Sequence, residues 1–284
     1  MGFVNRMRRM EKLPDMQQAA AFYGTLAGEV VASLLRARLR LLWPGEECEG
    51  QTLLGLGHAA PYMRCWRSTA YRCVVGSLHP SAGQVWPPAG RTLSCDATPS
   101  ALPFPDLSID RIVLVHALEM TDHARGLLRE VWRILKDDGR LMVVAPNRTG
   151  LWAHLDTNPF GQGQPFSHGQ IERLLAASLF RVERRDAALY MPPVFHSRAL
   201  LRAAWLFEST GRHLIPGLAG VTISEAVKDV YAGVPLRPTI RKRLMVQDAA
   251  EHLVSQKAFT PVSHPSTTSD CGVASPDRSS VGNS

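Results

Sequence analysis

Gly55-Leu56-Gly57 closes the apolar run 51–56 and leads into His58 and Ala59. A strand that ends in glycines and runs into a helix brings backbone close to a ligand and points N–H groups at it. The same turn serves chain packing equally well, so it specifies little by itself. Asp96 follows a second short apolar segment, and after it come Leu102-Pro103-Phe104-Pro105 and the strong run from Ile109. Further along stand candidates for work on a ligand: His116, Glu119, His123, His154 and Asp156, which can move a proton, and Asn147, which can hydrogen-bond. Each also has a plain role open to it: a hydrogen-bonded core histidine at 116, a helix cap at 119, solvated surface at 154 and 156.

Other chemistries find less support. The ten histidines make no H-E-x-x-H pattern. The five cysteines, Cys48, Cys65, Cys73, Cys95 and Cys271, are odd in number and include no C-x-x-C pair. Neither a disulfide framework nor a zinc site is expected, and a reducing cytoplasm fits. No metal is expected. No apolar run approaches the roughly 18 residues of a membrane span, and the basic N-terminus lacks the apolar segment of a signal peptide. The net charge of +7 permits acidic partners but bears on steering, not fold. Its basic residues are not interleaved with aromatic ones, so no nucleic-acid partner is evident.

The elements that must hold these residues alternate. Residues 17–42 predict one long helix with Leu26, Val30, Leu34 and Leu41 on its face, stopped by Trp43-Pro44-Gly45. Strands are expected at 51–56, 71–77, 91–95, 109–118 and 140–146. A helix over 124–136 carries Leu127, Leu128, Val131, Ile134 and Leu135 on one side and should end at Asp137-Asp138-Gly139, with the glycine left-handed. The segment 147–166 reads as a long loop whose Trp152, Phe160 and Phe166 either close over a ligand or anchor it to the core. Ser167 caps a helix over 167–178. A half-exposed strand at 180–186, a helix at 197–214 and a last strand within 219–231 follow. This order argues for an α/β domain with a mainly parallel sheet, and the continuously apolar strands imply that both its faces are covered. The expected organisation is a flexible N-terminus at 1–15, an N-terminal helix at 16–44, the main domain at 45–232, and a basic, then disordered, tail at 233–284.

The segment 95–119, "CDATPSALPFPDLSIDRIVLVHALE", resembles the class I S-adenosylmethionine-dependent methyltransferases of the type 11 group. In these a D-A-x-x-LPF-x-D-x-S-F-D stretch separates the third and fourth strands. Ile109 stands where that stretch has Phe, and four residues rather than two separate Ala97 from Leu102. "LLREVWRILKDDGRLMVVAPN" matches the group's continuation, and the resemblance covers roughly residues 50–230. It implies a Rossmann-like fold with a seven-stranded, mostly parallel sheet, helices on both faces, and S-adenosylmethionine as cofactor. By the matched motif Gly55 and Gly57 would approach the methionine portion, with His58 and Ala59 completing the turn. Asp96 would accept from the adenine amino group, Ala97 would donate through its backbone, and His116 would line the methyl-donor pocket. No catalytic residue is assigned.

Three departures from the family pattern are visible. Leu53 stands where an acid is usual, Ala59 where a third glycine is usual, and no acid ends the second strand, which runs into Gly76-Ser77-Leu78-His79-Pro80. Losing a carboxylate that holds two ribose hydroxyls would weaken binding by about one to two powers of ten, unless Ser77 or His79 substitutes. The resemblance implies methyl transfer to an acceptor, small or macromolecular, that the sequence does not name. The departures leave a non-catalytic methyltransferase-like module as the alternative. A nicotinamide-dependent oxidoreductase fits poorly, since G-x-G-x-x-G is not met.

Overall fold

The computed structural model describes residues 16–78, 86–87, 89–155, 158–192 and 203–230. His79, Asp156, Cys271 and the segments 1–15 and 233–284 lie outside the described residues.

Seven strands form one sheet: β1 Thr52–Gly57, β2 Arg72–Ser77, β3 Ser94–Asp96, β4 Ile109–Val115, β5 Leu135–Pro146, β6 Phe180–Ala188 and β7 Val221–Lys228. Their order is β3-β2-β1-β4-β5-β7-β6. The first five are parallel, and β7 runs antiparallel between β5 and β6. The helices are α1 Met16–Tyr23, α2 Leu26–Leu42, α3 Ala60–Met63, α4 Ala124–Ile134, α5 His168–Ala176 and α6 Ala204–Leu214.

Strand side chains alternate between faces, so each strand feeds two cores. Leu53, Val113, Val115, Met142 and Val144 pack with Val31, Leu34, Leu35 and Leu39 of α2 and with Tyr62 and Met63 of α3. Leu54, Leu56, Ile112, Leu114, Leu141 and Val143 pack with Leu127, Leu128, Val131 and Ile134 of α4 and Ile171 and Leu175 of α5. The seven-stranded, mostly parallel sheet covered on both faces that the resemblance implies is therefore present.

Several local expectations change. The segment 17–42 is two helices, because Thr25 is extended and its Oγ1 accepts from the Gly28 N–H at 3.1 Å, capping a new helix. The helices then cross so closely that a Cβ on Gly28 would lie 2.1 Å from the Phe22 carbonyl oxygen. The buried face of α2 runs through Val31, Leu34, Leu35, Leu39 and Leu42, whereas Leu26 and Leu41 are exposed. Leucines at heptad spacing allowed either stripe, and the turn at Gly24-Thr25 selected one. Helix α4 ends at Ile134 rather than at Gly139, because Leu135 already pairs with Ile109 as the first residue of β5. Gly139 sits inside that strand and not in the left-handed region. It is glycine because a Cβ there would come within 2.7 Å of Leu135. The strand expected at 91–95 is the shorter Ser94–Asp96, and that expected at 109–118 stops at Val115.

One buried charge cluster holds α2 to the sheet. Glu225 of β7 is fully buried and accepts from Trp43 Nε1 at 2.9 Å, from Arg140 at 2.9 Å and from Arg184. Arg184 also donates to the Leu42 carbonyl at 2.7 Å, satisfying one of the open carbonyls at the end of α2. Burial raises the Glu225 pKa, but the donors from Arg184, Trp43 and Arg140 outweigh it and hold the carboxyl below its ordinary range.

Candidate functional site

The carboxyl ends of four strands make a row. Asp96 stands beside Ser77, Gly76 beside Leu56, and Gly57 beside Val115. Three strand spacings of about 4.8 Å put the tip of β3 about 14 Å from the tip of β4. In an open parallel sheet ligands bind beyond such ends, where the strand order reverses. Here it reverses at β1 and β4.

Every residue singled out for the cofactor lies along this row. Gly57 has φ +77°, and a Cβ there would lie 2.3 Å from the Val115 carbonyl oxygen, so both backbone angle and packing demand glycine. At Gly55 a Cβ would meet Ala59 at 2.7 Å and Met63 at 2.8 Å. Ala59 has ordinary right-handed angles, φ −86° and ψ −15°, so this turn does not need the third glycine. His58 is buried and donates its backbone N–H to Val115 at 2.8 Å. Ala97 donates its N–H to the Ser77 carbonyl at 2.8 Å, and the Asp96 carboxylate is exposed and in no ion pair among the described residues.

The chemistry concentrates at the β4 end. His116, directly after the strand, is a non-glycine residue at φ +50°. A left-handed residue next to a ligand-binding edge is a signature of imposed geometry. Its Nδ1 is 3.0 Å from Glu119 Oε1 and its Nε2 is 3.0 Å from the Tyr23 hydroxyl. Tyr62 donates to the Tyr23 oxygen at 2.7 Å. The carboxylate accepts, so His116 carries its proton on Nδ1 and Nε2 accepts from Tyr23. The result is one directed chain, Tyr62 to Tyr23 to His116 to Glu119. Burial, with Tyr62 and Glu119 nearby, pushes the Tyr23 hydroxyl far up. Burial also raises Tyr62, so both phenols stay protonated. The His58 ring stacks on Tyr23 at 4.7 Å and 16°. Burial and the neighbouring His116 push His58 down to about 3, which keeps it neutral. Phe160 closes on the other side of His116 at 4.7 Å. The second Glu119 oxygen, Oε2, is buried without a hydrogen-bond partner among the described residues.

The remaining candidates lie elsewhere. Asn147 is buried and ties its loop down, donating to the Gly217 and Ala219 carbonyls. His123 and His154 are exposed. Trp152 and Phe160 are fully buried, Trp152 donating to the Met191 carbonyl at 2.8 Å, so both anchor the long loop to the core. The backbone of that loop also crosses Glu119, whose carbonyl accepts from the Gln164 N–H at 3.1 Å. Tyr23 and Tyr62 were not anticipated at the site. The one signal was that Tyr23 immediately precedes the Gly24-Thr25 break. The four described cysteines are free, and burial raises their thiol pKa values, Cys48 to about 11 and Cys73 to about 12. They are thus poor nucleophiles. Among the described residues no cluster of three or more His, Cys, Asp or Glu side chains is arranged to hold a metal ion. No described helix is long and apolar enough to cross a membrane.

Residues 54–143 match the family model described as "Methyltransferase domain". The match runs from β1 into β5 and takes in the glycine turn, Asp96 and His116. Three uncharacterized proteins, one from Mycobacterium bovis and two from Mycobacterium tuberculosis strains, are 30% identical over 108 residues. The match spans 36% of this chain and 38% of the length of those relatives. Among solved structures, a chain of the complex between the Haloferax volcanii Trm112 methyltransferase activator and a methyltransferase superposes with a TM-score of 0.55. It is 17% identical, with 76% of this chain and 97% of that chain covered. A SAM-dependent methyltransferase of Archaeoglobus fulgidus gives 0.51 at 16% identity, covering 69% and 94%. Another, from Thermotoga maritima, gives 0.51 at 15% identity, covering 80% and 96%. These likenesses agree on the fold.

The residues present fit S-adenosylmethionine unevenly. The β3 end offers an exposed carboxylate suited to an adenine amino group. The buried Glu119 oxygen suits a cationic ligand. At the glycine turn the chain's own Ala59, Met63, His58 and Tyr23 pack closely.

Proposed function

We propose that this protein is an S-adenosylmethionine-dependent methyltransferase in which the Tyr23–His116–Glu119 chain takes up the proton released by the methyl acceptor. The observation that carries this reading is the buried, directed hydrogen-bond chain at the carboxyl end of β4, held on a residue at φ +50°. When bound, the cofactor supplies an activated methyl group on a sulfonium, so the protein must chiefly align it and the acceptor. In this reading Asp96 accepts from the adenine amino group, and Gly55, Gly57, His58 and Ala59 form the floor under the methionine portion. The Ala97 N–H serves the sheet instead. Glu119 places negative charge beside the site. An acceptor proton passes to the Tyr23 oxygen as the Tyr23 proton passes to His116 Nε2, leaving an imidazolium paired with Glu119. The free thiols support a reducing, cytoplasmic setting.

Titration calorimetry with S-adenosylmethionine and S-adenosylhomocysteine tests the reading. Binding of both is expected. Asp96→Ala removes one hydrogen bond to a carboxylate and should weaken it by about 10- to 100-fold. No heat with either ligand, and no thermal stabilisation by them, would refute the reading and favour the non-catalytic module.

A further inference from the structure

A cavity of about 840 Å³ opens beside the end of the proton-accepting chain, in the size range of small-molecule sites. Its wall includes Tyr23 itself, the residue that links the cavity to His116 and Glu119. The α2 residues Leu26 and Val30 and the α6 residue Trp205 give it an apolar side, and Leu26 and Trp205 are about half exposed, at 53% and 52%. Arg36 and Arg64 face it from α2 and from the end of α3, against a single acid, Glu29. The Arg36 guanidinium is held to the wall by one N–H donated to the Pro61 carbonyl at 3.3 Å, which leaves its other N–H groups available. No carboxylate among the described residues forms an ion pair with either arginine.

Two guanidinium groups without acid partners beside an apolar wall form a recognition pattern. Guanidinium binds carboxylate and phosphate through paired N–H donors, and an indole face and aliphatic side chains take an apolar body. The Tyr23 oxygen accepts from Tyr62, and a phenol oxygen has a second lone pair with which to accept. We infer that this cavity seats the methyl acceptor, an amphipathic molecule with one anionic group and an apolar or aromatic body. The acceptor role rests on the methyltransferase reading, whereas the ligand class rests on the cavity alone.

Binding of decanoate and of decyl phosphate to the full chain, without S-adenosylmethionine, tests this, with decanol as the uncharged control. Calorimetry and tryptophan fluorescence supply the readouts. Saturable binding of at least one anion is expected, with decanol about tenfold weaker or more. Preference between the two anions distinguishes a carboxylate from a phosphate acceptor. Arg36→Gln with Arg64→Gln should lower anion affinity about tenfold or more while leaving decanol unchanged. Trp205→Ala should weaken all three probes together. Arg64 is exposed, so Arg64→Gln alone keeps the test intact should the double variant not fold. Equal binding of decanol and the anions, or unchanged anion binding in the arginine variants, would overturn the ligand class. If the anions bind and S-adenosylmethionine does not, the ligand site stands and its role as acceptor site falls. If S-adenosylmethionine binds and neither anion does, the cavity proposal fails by itself.

Discussion

Tyr23→Phe removes one oxygen atom from the centre of the buried chain and keeps the ring that stacks on His58 at 4.7 Å. Two partners lose their bonds at once: the Tyr62 hydroxyl, which donates at 2.7 Å, and His116 Nε2, which accepts at 3.0 Å. A buried polar atom left unpaired costs about 1–3 kcal/mol, so the expected loss for two is about 2–6 kcal/mol. Tyr62→Phe removes only the terminal donor, leaving the Tyr23-to-His116 bond in place, and should cost about 1 kcal/mol. At about 2–4 °C per kcal/mol for a domain of this size, Tyr23→Phe should lower Tm by roughly 4–24 °C and Tyr62→Phe by a few degrees. Urea denaturation followed by circular dichroism measures both, and the double variant completes the cycle. Because the two hydroxyls share a bond, the double variant should be less destabilised than the sum of the single ones. If Tyr23→Phe costs no more than Tyr62→Phe, or the two effects simply add, the hydroxyls do not form the directed chain and the proposed path for the proton is refuted.

His58 gives a pH dependence. It gains its proton near 6.5 in the unfolded chain and only at about 3 in the folded one. Between these values the unfolded state binds more protons, so stability is complete above about 6.5 and falls by about 1.4 kcal/mol per pH unit on acidification. His58→Phe, which retains a ring against Tyr23, should flatten that acid limb in Tm measured from pH 7 to 4. Glu225→Gln leaves Arg140 and Arg184 without their buried acid and should cost about 3 kcal/mol, read by chemical denaturation. The depressed Glu225 carboxyl contributes stability above the ordinary carboxylate range that is lost as pH falls through its folded value, so the variant should lose part of the acid sensitivity of the wild type. Gly57→Ala meets both a positive φ and the Val115 carbonyl and should yield little folded protein, whereas Ala59→Gly, at a residue with ordinary angles, should change thermal stability by less than about 1 kcal/mol.

Much of the fold was legible in the sequence because its signals are local. Strand β1, β4 from Ile112 and β5 from Leu141 are continuous apolar runs, as parallel strands buried on both faces must be. Helix α4 follows its 3.6-residue stripe, and Ser167 caps α5 with the reciprocal bond from Gln170 that the S-x-x-Q pattern implies. The places where the reading slipped were settled by longer-range contacts. Gly139 looked like a helix stop, yet Leu135 had already been taken by strand pairing with Ile109. The leucines of α2 offered two stripes, and only the turn at Thr25 and the staple from Arg184 to Leu42 decided between them.

The site divides in the same way. The sequence alone placed Gly55, Gly57 and Asp96 at strand ends, because strand ends can be read from where apolar runs stop, whereas the apolar run through His116 continues to Leu118 and the fold ended that strand at Val115. Only the tertiary structure decided which residues meet there. Tyr23 is 93 residues from His116 along the chain and Tyr62 is 39 from Tyr23, and no local pattern records such a pairing. A hydrogen bond depends on positions fixed to within a few tenths of an ångström. Those positions follow from the packing of α1 and α3 over the carboxyl ends of β1 and β4.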